Sequence, residues 1–255
     1  LAPRLTAAIG GAPPSPTLLA RAADAGIDVI HLYGLTETYG PSVICQPQPK
    51  WSGLPVEELA GLTARQGVGN VISEPVRVID PTGRDVPVDG TTVGEIALRG
   101  NNLMRGYHHD DEATTHAAPD GWFRTGDLGV MHPDHYVQLV DRAKDIIISG
   151  GENIASVEVE QALDSHPAVL ESAVVARPDP HWGEVPVAFV TLRNGADASE
   201  QELIDHVRRR LARFKTPKAV AFGPLPKTST GKIGKTVLRA RLSGDRLDAH
   251  RSFGA

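Results

Sequence analysis

The sequence predicts an α/β layer that runs into a small antiparallel β-subdomain and then into a separate α+β unit. Three observations carry this. The first residues alternate strand, helix and strand signals, with glycines at the strand ends. Residues 68–141 read as short alternating strands, punctuated by Pro81-Thr82-Gly83 and Asp89-Gly90 turns. After Arg142, apolar strand runs and a capped helix return over roughly 110 residues, enough for a small domain. The expected boundaries are 1–67, 68–141, a charged join at 142–145, and 146–255.

In order along the chain, "RLTAAIGGAPP" is an apolar run that ends in two glycines and two prolines, a strand-to-loop signal. "SPTLLARAADAG" reads as a short helix with Leu18, Leu19 and Ala22 inward, stopped by Gly26. "IDVIHLYG" is a strand. Ligands of α/β layers bind at the C-terminal ends of such strands. "EPVRVIDPTGRDVP", "VGEIALRG" and "YVQLVDR" supply the β-subdomain. "DIIISGG" is a strand entering a Gly-Gly turn, and "SVEVEQALDSH" a helix with acidic residues in its first turn, which suits the dipole. "ESAVVARP" and "EVPVAFVTLR" are strands. In "SEQELIDHVRRRLARF", Ser199 and Glu202 form a capping box, and Leu203, Val207, Leu211 and Phe214 share one helix face. "KAVAFG" is a last strand, followed by the loop "PLPKTSTGKIGK".

Composition narrows the function. The 255 residues are 40% hydrophobic, so a sizeable core can form, and the net charge of −5 argues against nucleic acid or a membrane surface as main partner. Cys45 is the single cysteine, which excludes a disulfide framework and a cysteine-based zinc site within one chain and fits a reducing cytoplasm. There is no apolar run long enough to span a bilayer and no signal-peptide pattern. The C-terminal Ser-Phe-Gly-Ala carries no recognised anchor or sorting motif. The chain begins at Leu1 and reads as the interior of a longer protein.

Several stretches carry chemistry. "YGLTETYGP" (33–41) sets a hydroxyl beside a carboxylate between two glycine turns, which suits either a phosphate-and-metal loop or a polar turn. "PKTSTGKIGK" leads into Gly231-Lys232, able to offer a cation to an anionic centre. It is not a P-loop. Gly231-Lys232 is followed by Ile233, and Gly234-Lys235-Thr236 has Ser229 where the first glycine belongs. In "GWFRTGDLG", Asp127 suits a ribose diol or its own turn backbone. In "DRAKDIIISGGEN", Gly150-Gly151 suits close backbone approach to a ligand or a plain hairpin. "HHDDE" (108–112) has no spacing that aims its side chains at one metal, and "RRRLARFK" (208–215) reads as a solvated helix face.

Together and in this order, "GGAP", "YGLTE", "GEIALRG", "GWFRTGDLG", "DRAKDIIISGGEN", "DPHWGE" and "PKTSTGKI" resemble the adenylate-forming (AMP-binding) acyl-CoA synthetase superfamily over nearly the whole chain. "PKW…ARQG" and "DIIISGGENI" look most like ligases for short, medium or methylthio-substituted fatty acids, the methylmercaptopropionate ligases among them. The resemblance implies the end of a large α/β AMP-binding domain with a β-subdomain, a hinge at 142–145, and a complete mobile C-terminal domain. It implies that carboxylate, ATP and CoA give acyl-CoA, AMP and pyrophosphate through an acyl-adenylate.

The resemblance also implies roles. Gly10, Gly11 and Ala12 line adenine, and Tyr33 stacks on it, followed by Gly34. Thr36 meets the α-phosphate, Glu37 binds Mg²⁺, and Asp127 and Arg142 hold the ribose. Lys232 bridges the substrate carboxylate and α-phosphate, and Lys144 is the hinge. Tyr39-Gly40-Pro41 lines the acyl pocket. Gly150, Gly151, Glu152, Trp182, Phe214 and Lys218 face CoA. Thr216 stands where one type of relative has arginine, so that phosphate contact is not carried over. A Ser/Thr/Gly-rich loop of the form T-S-G-T-T-G is absent here and is expected upstream of "GGAP", in an N-terminal half that also holds most of the acyl pocket. The alternatives are a truncated, non-catalytic nucleotide-binding fragment and an acyl-AMP ligase that loads a carrier protein. A homodimer is compatible with either.

Overall fold

The computed structural model describes residues 4–244. Leu1 and the Ser-Phe-Gly-Ala terminus lie outside them. The chain divides into two compact units, Leu1–Ala143 and Lys144–Ala255.

The first unit holds two sheets. In the first, β1 (Leu5–Gly10) and β2 (Ile27–Tyr33) run parallel, joined by α1 (Pro16–Asp24). The short β3 (Val43–Ile44) and β4 (Val68–Gly69), with α2 (Val56–Thr63) between them, continue the sheet antiparallel in the order β1-β2-β3-β4. Ser15 caps α1 by accepting the Leu18 amide at 3.2 Å, and Pro16 fits the first helical turn, where its missing N–H costs nothing. Only Leu19 of the three residues expected inward is buried. Leu18 is 54% exposed, and Ala22 is half-buried. On so short a helix the apolar stripe is one residue wide.

The second sheet is an antiparallel meander of β5 (Arg77–Ile79), β6 (Gly94–Leu98), β7 (Phe123–Met131) and β8 (Val137–Arg142), with α3 (Asp111–Ala117) before β7. Its core is Val76, Val78, Val86, Ile96, Leu98, Met131 and Val137. Residues 68–69 belong to the first sheet, not to this one. In "PKW…ARQG", Trp51, Arg65, Gln66 and Gly67 are buried together with Tyr136. The Arg65 guanidinium donates twice to Asp134, at 3.0 and 3.1 Å, and its carbon lies 4.7 Å from the Tyr136 ring centre and 5.4 Å from that of Trp51. A buried cation satisfied this fully serves the fold.

The second unit is a three-layer sandwich. β9 (Ile147–Ser149) and β10 (Glu152–Ile154) form a hairpin beside the long β11 (Val169–Asp179) and β12 (Gly183–Leu192), and β13 (Ala219–Phe222) joins β12 in parallel. α4 (Ser156–Asp164) and α5 (Glu200–Arg208) cover one face of the sheet, where Val159, Leu163, Leu203 and Val207 meet Val174, Ala188 and Val190. α6 (Lys235–Gly244) covers the other, where Leu238 packs with Ala173, Val175, Val187 and Phe189. Alternate residues of β11 and β12 thus serve opposite cores, which is why both strands read as unbroken apolar runs.

α5 ends at Arg208, so Leu211 and Phe214 do not share its face. Ser199 accepts the Glu202 amide at 3.2 Å, and the Glu202 carboxylate turns to His166 Nε2 at 3.3 Å.

Two titrating groups in this unit pull in opposite directions. Burial pushes the Asp164 carboxyl up to about 6, against the pull of the Ser172 hydroxyl. Burial, with Arg210 and His166, pulls the His206 imidazole down to about 4. Folded Asp164 keeps its proton better than the unfolded chain does, so it erodes stability as pH rises from the ordinary carboxylate range to about 6. Folded His206 resists protonation, so it erodes stability as pH falls from the ordinary imidazole range to about 4. The two trends oppose each other across pH 4.5–6. In His206→Gln, protection of β11 amides against hydrogen exchange, corrected for intrinsic rates, should fall as pH rises through this window. In Asp164→Asn it should rise with pH.

Candidate functional site

In the first unit the parallel pair β1 and β2 delivers its C-terminal ends side by side. Gly10 lies in register with Leu32, one residue before Tyr33. A Cβ on Gly10 would meet the Leu32 carbonyl oxygen at 2.9 Å. Gly10, Gly11 and Ala12 are exposed next to that edge, as a surface for a flat ligand requires.

Tyr33 reaches across to the second sheet, where its hydroxyl donates to Asp127 Oδ2 at 2.8 Å. Asp127 is paired in register with Arg142 of β8, and Arg142 Nε lies 3.3 Å from Asp127 Oδ1. Asp127 is 4% exposed. Burial pushes its carboxyl up, while the Tyr33 hydrogen bond and the Arg142 charge pull it down. Burial pushes the Tyr33 phenol well up, and the Asp127 charge adds to this. Both carboxylate oxygens have a protein partner, and each keeps lone-pair capacity for a further donor.

The stretch "YGLTETYGP" folds back on itself. Gly34 sits so close to Gly40 that a Cβ would lie 2.2 Å from the Gly40 carbonyl oxygen. The buried Thr38 hydroxyl accepts the Leu35 amide at 2.9 Å and lies 2.6 Å from the Gly40 carbonyl oxygen, and Tyr39 closes the turn at φ 49°. Asn102 donates to Thr38 O at 2.9 Å and Ser42 Oγ at 2.7 Å. The effect is to leave Thr36 and Tyr39 exposed at the tip. Glu37 is half-buried, its Oε1 accepting the Tyr107 hydroxyl at 3.2 Å. Tyr107 and Asn102 were not anticipated. They lie more than sixty residues downstream, beyond any local pattern. Asp110 of "HHDDE" caps α3 by accepting the Ala113 amide at 2.9 Å. Among the described residues no three His, Cys, Asp or Glu side chains converge as a metal site. One half-buried carboxylate with one oxygen uncommitted is the donor set Mg²⁺ takes when phosphates supply the rest.

In the second unit, Gly150 (φ 61°) and Gly151 (φ 87°) form the two-residue turn of the β9–β10 hairpin, with Ser149 opposite Glu152. The Gly150 amide donates to Trp182 O at 2.8 Å, and a Cβ on Gly150 would strike the Trp182 ring at 2.8 Å. "DPHWGE" is the β11–β12 turn, with Asp179 Oδ1 accepting the His181 and Trp182 amides, each at 2.9 Å. Trp182 remains 47% exposed beside the glycine turn and Glu152. Phe214 is 37% exposed, and Lys218 is exposed with its amide donating to Pro186 O at 2.9 Å. The Thr216 hydroxyl is buried without a hydrogen-bond partner among the described residues, so it offers nothing to a phosphate.

The loop "PKTSTGKIGK" sorts its lysines. Lys227 pairs with Glu171 of β11. Lys235 opens α6, with its ammonium 2.7 Å from Glu160 Oε1 and 2.6 Å from Ser156 Oγ. Lys232 is exposed, past the positive-φ Gly231, with no ion pair among the described residues. Lys232→Ala should therefore leave thermal stability unchanged, whereas Lys235→Ala, which removes the ammonium from the largely buried Glu160 carboxylate, should cost about 1–3 kcal/mol in denaturant unfolding.

Residues 2–108 match the AMP-binding enzyme family, and residues 158–232 match the AMP-binding enzyme C-terminal domain. The chain is 52% identical over 237 residues to an acetate–CoA ligase of Humulus lupulus, covering 91% of this chain and 42% of that protein. It is 50% identical over 237 residues, with the same coverage, to an acetate/butyrate–CoA ligase of Arabidopsis thaliana named as peroxisomal. It thus spans less than half the length of these relatives. Among solved structures it is similar to ATP-bound MatB from Rhodopseudomonas palustris, with a TM-score of 0.80 and 33% identity over 93% of this chain and 45% of that one. The amide bond synthetase McbA from Marinactinospora thermotolerans gives a TM-score of 0.81 at 32% identity, over 94% and 46%.

Proposed function

The chain belongs to the AMP-binding enzyme family, and from that premise we propose that the protein is an ATP-dependent acid–CoA ligase for a short or medium-chain carboxylic acid. The observation that carries this reading is the selective freedom of Lys232. It stands exposed on a tight loop whose other two lysines are neutralised. The relatives named for acetate and butyrate support the substrate class.

In this reading Gly10–Ala12 and Tyr33 receive the adenine, and Asp127 with Arg142 receives the ribose. The exposed Thr36 hydroxyl donates to the α-phosphate. Glu37, steadied by Tyr107, would hold Mg²⁺, which when bound offsets phosphate charge. A substrate carboxylate oxygen attacks the α-phosphorus, and the bond to the bridging oxygen breaks, releasing pyrophosphate. Lys232 stabilises the charge that grows on the phosphoryl oxygens. In the second step the CoA sulfur attacks the acyl carbon, and AMP leaves with the bonding electrons. Gly150, Gly151, Glu152, Trp182, Phe214 and Lys218 line the CoA path, and Lys144 is the hinge between the two arrangements. The phosphate-wrapping Ser/Thr/Gly loop and most of the acyl pocket belong, in this reading, to a segment other than these 255 residues. No helix among the described residues is long and apolar enough to cross a membrane. We propose the cytoplasm as compartment, with the peroxisome the alternative that fractionation tests.

The deciding experiment is ATP-dependent pyrophosphate release with CoA, Mg²⁺ and acids of two to twelve carbons, on this chain and on the protein from its complete reading frame. Release with one chain-length optimum supports the ligase and names its substrate class. No release from either with any acid would overturn it, and acyl-adenylate formed without thioester would favour a carrier-protein ligase. Lys232→Ala should slow pyrophosphate release by about 100-fold or more while sparing thioester formation from supplied acyl-adenylate. Lys144→Pro should lower the overall rate, and an unaffected rate would remove the hinge role.

A further inference from the structure

The loop that presents Lys232 is fixed at both ends by acid–base pairs for which the proposed reaction has no use. At its start Lys227 pairs with Glu171 of β11. At its end the Lys235 ammonium reaches α4, 2.7 Å from Glu160 Oε1 and 2.6 Å from Ser156 Oγ. The Lys235 and Glu160 side chains are only 18% and 17% exposed. The same Glu160 oxygen accepts the Val174 amide of β11 at 2.7 Å. One carboxylate therefore ties α4, the sheet and the first residue of α6 together.

Between the anchors the backbone is a short hairpin. The Thr228 amide donates to Lys232 O at 2.7 Å, and the Lys232 amide donates to Thr228 Oγ1 at 3.1 Å. Lys227 and Ile233 form an antiparallel bridge, and the Gly234 amide donates to Pro226 O at 2.8 Å. Lys232 thus sits just three residues before a fixed point, with no slack to absorb a shift at Lys235.

A packed apolar pair of similar volume would hold α6 to α4 with little or no loss of stability. The charge and the hydrogen bonds add direction: they set where the helix begins, and so where Lys232 points. We propose that Lys235, held by Glu160 and Ser156, is a positioning residue for Lys232. The proposal rests on the role given to Lys232 above. Misplacing a reacting group by about 1 Å costs up to about 100-fold in rate, so a shift of this size at the base of the loop is enough.

The test separates the half-reactions in the protein expressed from its complete reading frame. Lys235→Met should slow acid- and ATP-dependent pyrophosphate release by about 10- to 100-fold. Thioester formation from supplied acyl-adenylate should stay within about twofold, because Lys232 takes no part in it. Lys235→Arg, which keeps the cation, should restore pyrophosphate release to within about threefold of the parent. Glu160→Gln keeps an acceptor for Val174 but loses the charge, and should show the same split more weakly. It decides the matter if Lys235→Met does not fold. Equal losses in both half-reactions, or unchanged pyrophosphate release in the folded variants, would overturn the proposal. Lys232→Ala is the reference: if it retains adenylation, the reading of Lys232 is at fault. If it loses adenylation while the Lys235 and Glu160 variants keep it, the positioning role alone fails.

Discussion

The buried carboxylate of Asp127 is the constraint around which the first unit is arranged. It belongs to the antiparallel sheet, yet its Oδ2 takes the hydroxyl of Tyr33 from the other sheet, and its Oδ1 faces Arg142. A charge buried to this degree is expensive unless hydrogen-bonded and paired. Removing either partner would leave the carboxylate seeking a proton. The cost of burying Asp127 thereby fixes where the end of β2 stands relative to β7 and β8. That end is also where Gly10–Ala12 and the folded-back Thr36 loop emerge. One electrostatic requirement therefore aligns residues drawn from positions 10, 33, 36 and 127.

The second unit solves a related problem with cations. Three lysines lie within nine residues of sequence, and only burial and pairing distinguish them. Lys227 and Lys235 spend their charge on Glu171 and Glu160. Lys232 keeps its own because Gly231 turns the backbone outward between them. Lys232 is exposed and has no ion pair among the described residues, while the lysines on either side of it are paired. The hairpin of Gly150-Gly151 follows the same logic in backbone form. Two positive-φ residues bring the Gly150 amide to Trp182 O, and the missing side chain of Gly150 leaves room for the indole.

Much of this was legible in the sequence where the signal is local. The strands with alternating or continuous apolar runs, the Ser199 cap and the glycine turns follow from periodicity and side-chain chemistry. The ordered motifs marked the family although each alone admitted a plain reading. What was not legible required partners distant in sequence. Leu18 looked inward because its helix pattern allowed it, yet α1 buries only a one-residue stripe. The periodicity runs α5 on to Phe214, because Leu211 and Phe214 continue the period past the point where the chain turns. α6 escapes the pattern, since "KTVLRARLSG" offers one fully buried leucine and a sequence otherwise fit for solvent. Tyr107 on Glu37 and Lys235 on Glu160 arise from 70 and 75 residues of separation, which no periodicity encodes.

The hydroxyl and carboxylate of Thr36 and Glu37 stand between two glycine turns whose residues are fixed by the loop's own geometry. Gly34 lacks a side chain because the Gly40 carbonyl occupies the space where its Cβ would be. Thr38 spends its hydroxyl inside the loop, and Tyr39 adopts the left-handed conformation so that Gly40 can return. These internal demands account for Gly34, Thr38, Tyr39 and Gly40, but not for Thr36 and Glu37. Neither is required for the turn, and an aliphatic residue at 36 would fold as well. The loop therefore holds, at the end of a parallel strand, an exposed hydroxyl and a half-buried carboxylate that its own turn does not use. The phosphate and cation of the proposed reaction would use both.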